Sequence, residues 1–333
     1  IALMGFSMGG AGAWHLGAHY PDRWAVVHAG AGFVDVKRYQ RLGPADMPSM
    51  VEQQLWGLYD VPNYARNLLN LPVVAYSGEN DKQKDAADYM AEVFASHGRK
   101  LTHHVGPGMG HKYHPETIKE VATYVKSALV EPKDRNPDSI RLQTRTLRYN
   151  KCAWLEITGL QEHWKDSRTD AFFAAPRDLR IETRNLTSLR INRPLVPGTT
   201  IGIDDTRLTV QQSPKHLDLH RNGKTGKWEF AGARHPLPRK SPGLQGPIDD
   251  AFLAPFLVVT PSAPSANRRL DEWAAFEIEH LKTRWRALFR GDLRIIPDNA
   301  LTPDDAKRYN LILFGTPESN KAIPPVLDQT PLK

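Results

Sequence analysis

Gly5-Phe6-Ser7-Met8-Gly9-Gly10 decides how this chain is read. Residues 1–6 (IALMGF) form a short apolar run of strand type, and residues 11–20 read as a helix stopped by Pro21. A Gly-x-Ser-x-Gly motif between a strand and a helix is a nucleophile elbow. The serine occupies a strained turn that exposes its hydroxyl, and only glycine-sized neighbours let the backbone turn so tightly. Gly9 and Gly10 are expected to let the helix pack close to the strand. The competing reading is a glycine-rich turn with an incidental serine.

Working outward, strand and helix signals alternate. Residues 24–29 are a second apolar run closed by Gly30-Ala31-Gly32, and residues 71–77 (LPVVAYS) a third, ended by Gly78. Residues 85–97 have helical periodicity through Ala86, Tyr89, Met90, Val93 and Phe94, and residues 100–105 form a fourth strand. A last helix, 115–129, carries Ile118, Val121, Ala122 and Val125 on one face. The alternation predicts an α/β fold with a parallel sheet covered on both faces.

A serine is inert without a base, and the base needs an orienting acid. After an elbow of this kind the chain order is serine, acid, histidine. Asp81 lies in Gly78-Glu79-Asn80-Asp81 at the end of the third strand, and His111 in the loop from Gly106 to His111 after the fourth. Ser7 is the candidate nucleophile, His111 the base and Asp81 the acid. Asp35, just past the second strand, is the rival acid; Glu79, Asp85 and Asp88 read as turn or solvated helix residues. His103, His104 and His114 are the rival bases. His103 and His104 are adjacent on a strand and face opposite ways, one core and one surface, while His114, before Pro115, reads as a cap or surface residue. Four histidines this close raise zinc, but their spacing fits no standard ligand pattern. No metal and no cofactor are called for.

The stretches GFSMGGAGAWHLGAHYPDRWAVV, YSGENDK and GPGMGHKYHPE resemble α/β-hydrolases of the prolyl oligopeptidase type and the related peptidase-like and carbohydrate-ester esterases. The resemblance covers residues 1 to about 130. It implies a serine hydrolase working through an acyl-enzyme on Ser7, Asp81 and His111, with a peptide or ester substrate. The backbone N–H of Met8 would be one oxyanion-hole donor. A complete domain of this type has strands before the elbow that also supply the second donor. With the elbow at residue 5, the chain is expected to be the C-terminal half of a catalytic domain cut from a longer protein. Little or no esterase activity is expected of it alone; robust p-nitrophenyl acetate turnover lost in Ser7→Ala would overturn that. Residues 71–77 and their neighbours are expected to expose an unpaired sheet edge.

Residues 131–137 (EPKDRNP) read as a linker, closing a first domain at 1–131. Beyond it, seven short β runs about ten residues apart between 139 and 211 predict a β-sandwich-like domain, 138–233. A proline- and glycine-rich joint, 234–247, precedes an α/β segment, 248–333, with strands at 256–260, 293–296 and 310–314 and a long helix near 269–289.

The 333 residues carry a net charge of +7, and residues 131–240 alone hold 21 basic against 13 acidic side chains, so the basicity belongs to the middle. That excess reads as a solvated surface or as an acidic polysaccharide site, with Trp154, Trp164 and Trp228 as sugar platforms or as core. A glycan-binding module fused to a hydrolase is therefore the alternative from another class. No module for nucleic acid is present. No apolar stretch is long enough for a membrane span. The single cysteine, Cys152, excludes an internal disulfide framework; low cysteine use fits cytosolic and exported hydrolases alike. Asp249-Asp250 is a candidate cation site or helix cap, and residues 316–320, after the last strand, lie where α/β folds bind ligands.

Overall fold

The structure, a computed structural model, describes residues 1–231, 239–327 and 330. Four parallel strands, β1 (Ala2–Phe6), β2 (Val26–Gly30), β3 (Val73–Gly78) and β4 (Thr102–Gly106), pair in the order β1-β2-β3-β4. Between them run α1 (Met8–His19), α2 (Val36–Gln40), α3 (Met50–Leu55), a ten-residue 3-10 segment (Val61–Asn70) and α4 (Lys84–Ser96); α5 (Thr117–Ala128) closes the run. β2 and β3 are buried along their whole length, as strands covered on both faces must be. One face packs Trp14, Tyr64, Leu68, Met90 and Phe94 against the sheet, the other Val121 and Val125. The edges are β1 and β4. The strand at 71–77, expected to be exposed, lies inside the sheet because residues 102–106 pair along it.

The sandwich follows. One sheet orders β12 (Thr206–Thr209), β11 (Thr200–Ile203), β9 (Asp178–Arg184), β8 (Ser167–Ala175) and β5 (Ser139–Thr144). The other orders β14 (Trp228–Phe230), β13 (Leu217–Arg221), β10 (Leu186–Ile191), β7 (Leu155–Leu160) and β6 (Lys151–Cys152). Alternate residues of both sheets, Leu142, Ile157, Ile181, Leu189, Ile201 and Leu219 among them, fill one core. Trp154 and Trp228 are 3% and 1% exposed within it, so neither is a sugar platform; Trp164 is half-buried. β13 and β14 escape a reading by pattern because LDLHR and WEF are short and lie among turn residues.

Residues 1–245 form one compact unit. The change of architecture at 131–137 is bridged by side chains. β5 is an edge strand, and its outward N–H and C=O groups at residues 141 and 143 are taken up by two carboxamides of the Val61–Asn70 segment. Asn67 Nδ2 donates to Gln143 O (3.0 Å) and to Ala18 O (2.8 Å), while its Oδ1 accepts from Gln143 N (2.7 Å). Asn70 repeats the pattern with Arg141 O (2.6 Å) and Arg141 N (2.9 Å). Two asparagines three residues apart thus stand in for a neighbouring strand and cover the edge. The linker is tied down too: Lys133 Nζ donates to Pro21 O and Trp154 Nε1 to Pro137 O.

Residues 246–333 form a second unit. Its described part is a three-stranded parallel sheet, β16 (Ile295–Pro297), β15 (Phe256–Thr260) and β17 (Asn310–Leu313), in the order β16-β15-β17, with the long helix α6 (Arg268–Phe289). Trp285 of α6 meets Phe256 and Phe289. Asp249 and Asp250 lie in the first turn of a 3-10 helix, Ile248–Phe252. Residues 316–320 form a turn that satisfies itself: Ser319 Oγ accepts from Thr316 N, and buried Asn320 donates to Val259 O and Phe314 O. Within the joint at 234–247, residues 234–238 lie outside the described residues.

Candidate active site

All four strands are parallel, so the loops that follow them gather at one edge of the sheet. Ser7 follows β1, Asp81 follows β3 and His111 follows β4. Ser7 has φ 56° and ψ −118°, a conformation non-glycine residues rarely adopt, and its N–H donates to Gly30 O (2.9 Å). Such strain persists only where the surroundings enforce it. Two glycines do so here. A Cβ on Gly5 would stand 1.9 Å from Gly9 O, and one on Gly10 would stand 2.1 Å from Gly30 O. Gly9 differs from expectation: a Cβ there meets nothing within 4 Å, so it is Gly10 that lets α1 approach the sheet.

The three predicted residues come together. Ser7 Oγ lies 2.8 Å from His111 Nε2, and His111 Nδ1 lies 2.8 Å from Asp81 Oδ2. The carboxylate fixes the tautomer: Nδ1–H donates to Asp81, which leaves Nε2 free to accept from the serine hydroxyl. Asp81 is nearly buried, with its side chain 4% exposed, whereas His111 is 42% exposed and open to solvent and ligand. Asp81 Oδ1 also accepts from Gln83 N (2.9 Å), which sets the carboxylate plane. The acid and histidine loops are laced together by Asn80 N to Met109 O (2.8 Å) and by Gly108 N to Glu79 Oε2 (2.7 Å). Met8 is the first residue of α1, where helical N–H groups have no intrahelical acceptor and the helix dipole is positive.

The rivals have other work. Asp35 caps α2, accepting from Arg38 N (2.7 Å). His114 caps α5, its Nδ1 3.0 Å from Thr117 Oγ1. His103 and His104 do face opposite ways, but neither is bare. His103 meets Ser77 and, across from α4, Asp88; His104 meets Glu120 of α5, because helices cover both faces. Glu79 accepts from the histidine loop, while Asp85 and Asp88 pair with Arg38 and Lys84. Among the described residues no three His, Cys, Asp or Glu side chains are grouped to hold a metal ion. Cys152 is buried, and burial pushes its thiol up to about 12.

Three residues that motif reading passes over hold His111 in place. Tyr76 OH donates to Lys112 O (2.9 Å) and accepts from His114 N (2.7 Å), clasping the loop on both sides of Tyr113. Tyr113 OH lies 2.8 Å from His28 Nε2, whose Nδ1 donates to Val74 O. Burial lowers the His28 pKa, so the ring is neutral and Nε2 accepts from the tyrosine. Phe6 fills the space between, its ring 5.0 Å from His111 and 4.5 Å from Tyr113. Tyr76 stands inside the YSGEND stretch and His28 inside a buried strand, and only tertiary pairing gives them these roles.

Residues 1–127 match the family model described as "Putative esterase". No curated protein matches the chain. Among solved structures, esterase PE8 aligns at 16% identity and TM-score 0.27, over 38% of this chain and 50% of its own. TT1662 from Thermus thermophilus aligns at 18% and 0.32, over 39% and 55%. A puromycin-hydrolyzing peptidase of Mycobacterium tuberculosis aligns at 17% and 0.32, over 40% and 22%. The chain thus spans about half the length of the first two. Residues 1–127, which hold the four-stranded parallel sheet and the three gathered residues, are thus similar to the family described as "Putative esterase".

Proposed function

We propose that the chain belongs to a serine hydrolase that cleaves a carboxylic ester or peptide bond through an acyl-enzyme on Ser7. The observation that carries this reading is the unbroken relay of two 2.8 Å contacts, Ser7 Oγ to His111 Nε2 and His111 Nδ1 to Asp81 Oδ2. In this mechanism His111 Nε2 takes the hydroxyl proton as Ser7 Oγ bonds to the carbonyl carbon. The oxyanion that forms is met by the Met8 N–H at the positive end of α1. Collapse breaks the bond to the leaving group, which departs with the proton from His111. Water then attacks the acyl carbon, again giving its proton to His111, and releases the acid and free Ser7. Asp81 stays ionised and holds the imidazolium that appears twice in the cycle.

The family match over residues 1–127 supports an ester as substrate; a prolyl oligopeptidase-like peptidase is the narrower form of the same reading. Protein mixed in stoichiometric excess with p-nitrophenyl acetate, quenched and peptide-mapped, should carry acetyl on Ser7. Acetyl spread over lysines, or equal in Ser7→Ala, would contradict the mechanism. Acylation by p-nitrophenyl butyrate alone marks an esterase. Acylation also by a Gly-Pro p-nitroanilide marks the peptidase.

A further inference from the structure

Beside the triad loops, a cavity of about 420 Å³ opens between the segments that follow β2 and β3. Its walls differ from each other in chemistry. Phe33 and Tyr39 form a stacked aromatic wall, ring centroids 4.0 Å apart. Three cations, Arg38, Arg41 and Lys82, line the same cavity. Arg38 is already balanced: it pairs with Asp85 (3.0 Å) and lies over the Tyr89 ring (3.9 Å). Asp35 and Asp85 also line the cavity; Asp85 is the partner of Arg38, while Asp35 Oδ1 accepts from the neutral Arg38 N–H, so its charge still offsets one cation. That leaves Arg41 and Lys82, which have no carboxylate within ion-pair distance among the described residues.

Both are anchored at the backbone. Arg41 closes α2 in the left-handed conformation (φ 55°), its N–H bonded to Arg38 O and Lys37 O. Lys82 directly follows Asp81, and Gln83, another lining residue, donates its N–H to Asp81 Oδ1. The cavity wall is thus hydrogen-bonded to the acid of the triad. Three lining cations against two lining carboxylates leave a net charge of +1 beside a stacked aromatic pair, which fits a monoanion joined to a flat ring: the ring stacks, and the charge meets the guanidinium and ammonium. A volume of this size suits one ring with a short substituent.

We propose that this cavity is the subsite for an anionic, ring-bearing part of the substrate, adjoining the Ser7 centre. Its assignment to a substrate rests on the serine-hydrolase reading; its capacity to bind such a group does not.

The test uses cinnamate and its neutral isostere cinnamamide, titrated into the full chain by calorimetry at low salt. Cinnamate should bind at least tenfold more tightly than cinnamamide. An R41A/K82A double variant should lose roughly fivefold to twentyfold of the cinnamate affinity, the span expected for two partly exposed charge contacts, and Phe33→Ala should weaken both ligands. Ser7→Ala should bind cinnamate as the parent does. Equal affinity for the two ligands, no binding of either, or unchanged affinity in the double variant would overturn the subsite. Failure of the Ser7 mechanism would show separately, as absence of acetyl on Ser7 with the selective cinnamate binding intact.

Discussion

Replacing Asn67 by alanine should loosen the whole of residues 1–245. Asn67 is fully buried and makes three hydrogen bonds, to Ala18 O, Gln143 O and Gln143 N, that tie α1, the Val61–Asn70 segment and β5 together. Truncation leaves all three backbone groups without partners. A buried polar group stranded in this way costs about 1–3 kcal/mol. Because the vacated space can take a water, about 1–2 kcal/mol each is the better figure, for a total near 3–6 kcal/mol. For a unit of this size, at roughly 2–4 °C per kcal/mol, that is a melting-temperature drop of about 6–24 °C. Urea unfolding followed by tryptophan fluorescence and by circular dichroism measures it. Asn70→Ala, whose bonds to Arg141 lie near the surface, serves as the control and should cost about 1 kcal/mol. If Asn67→Ala falls within about 1 kcal/mol of the parent, or costs no more than Asn70→Ala, the carboxamide bridge does not hold the two architectures together.

Gly10→Ala should destabilise by about 3 kcal/mol and displace the elbow, since the new Cβ would lie 2.1 Å from Gly30 O, whereas Gly9→Ala should be neutral or slightly stabilising; paired thermal melts decide it. Asp81→Asn should leave the fold intact yet slow acylation of Ser7 on the order of a thousandfold, because the imidazole loses the partner that sets its tautomer; stopped-flow p-nitrophenolate release reads this. Stability should fall in mild acid. Burial lowers the pKa of His15 to about 4 and of His19 to about 3, and both Nε2 atoms are buried without a hydrogen-bond partner. The unfolded chain therefore binds more protons, so the stability from these two is complete above about pH 6.5 and is lost on acidification below it. Between pH 7 and 5 they remove about 4 kcal/mol together. Asp60, raised to about 6 by burial, has the opposite sign and offsets part of this loss. Urea melts at both pH values should show a net loss of a few kcal/mol, smaller in His19→Phe; a flat profile would contradict the burial of these rings.

What the sequence discloses and what it withholds follow from range. The elbow is local: strand, glycines and helix lie within twenty residues, so Ser7 and the turn around it are legible. Asp81 and His111 are legible because parallel strands bring every following loop to one edge, and chain order then assigns the roles. Asp35 stays a rival on sequence grounds, since whether an aspartate caps its own helix or reaches a histidine depends on backbone placement. His28, Tyr76 and Tyr113 are invisible for the same reason. Each contributes one bond to a loop remote in sequence, and a histidine within an apolar strand carries no signal of its partner. The sandwich is legible from alternation in β5 to β12, but not in β13 and β14, where Trp228 is the only strongly apolar anchor of WEF besides an exposed phenylalanine. Asn67 and Asn70 read as ordinary turn-forming residues until β5 is placed against them.

The chemistry proposed for this chain turns on Ser7 being an activated nucleophile. A fluorophosphonate probe incubated with the folded chain, followed by digestion and mass spectrometry, tests it most directly. A single phosphonyl adduct is expected on the peptide containing Ser7, absent in Ser7→Ala and much slowed in His111→Ala, with both variants folded by circular dichroism. A folded chain that takes up no probe at Ser7, or takes it up equally without His111, would contradict it.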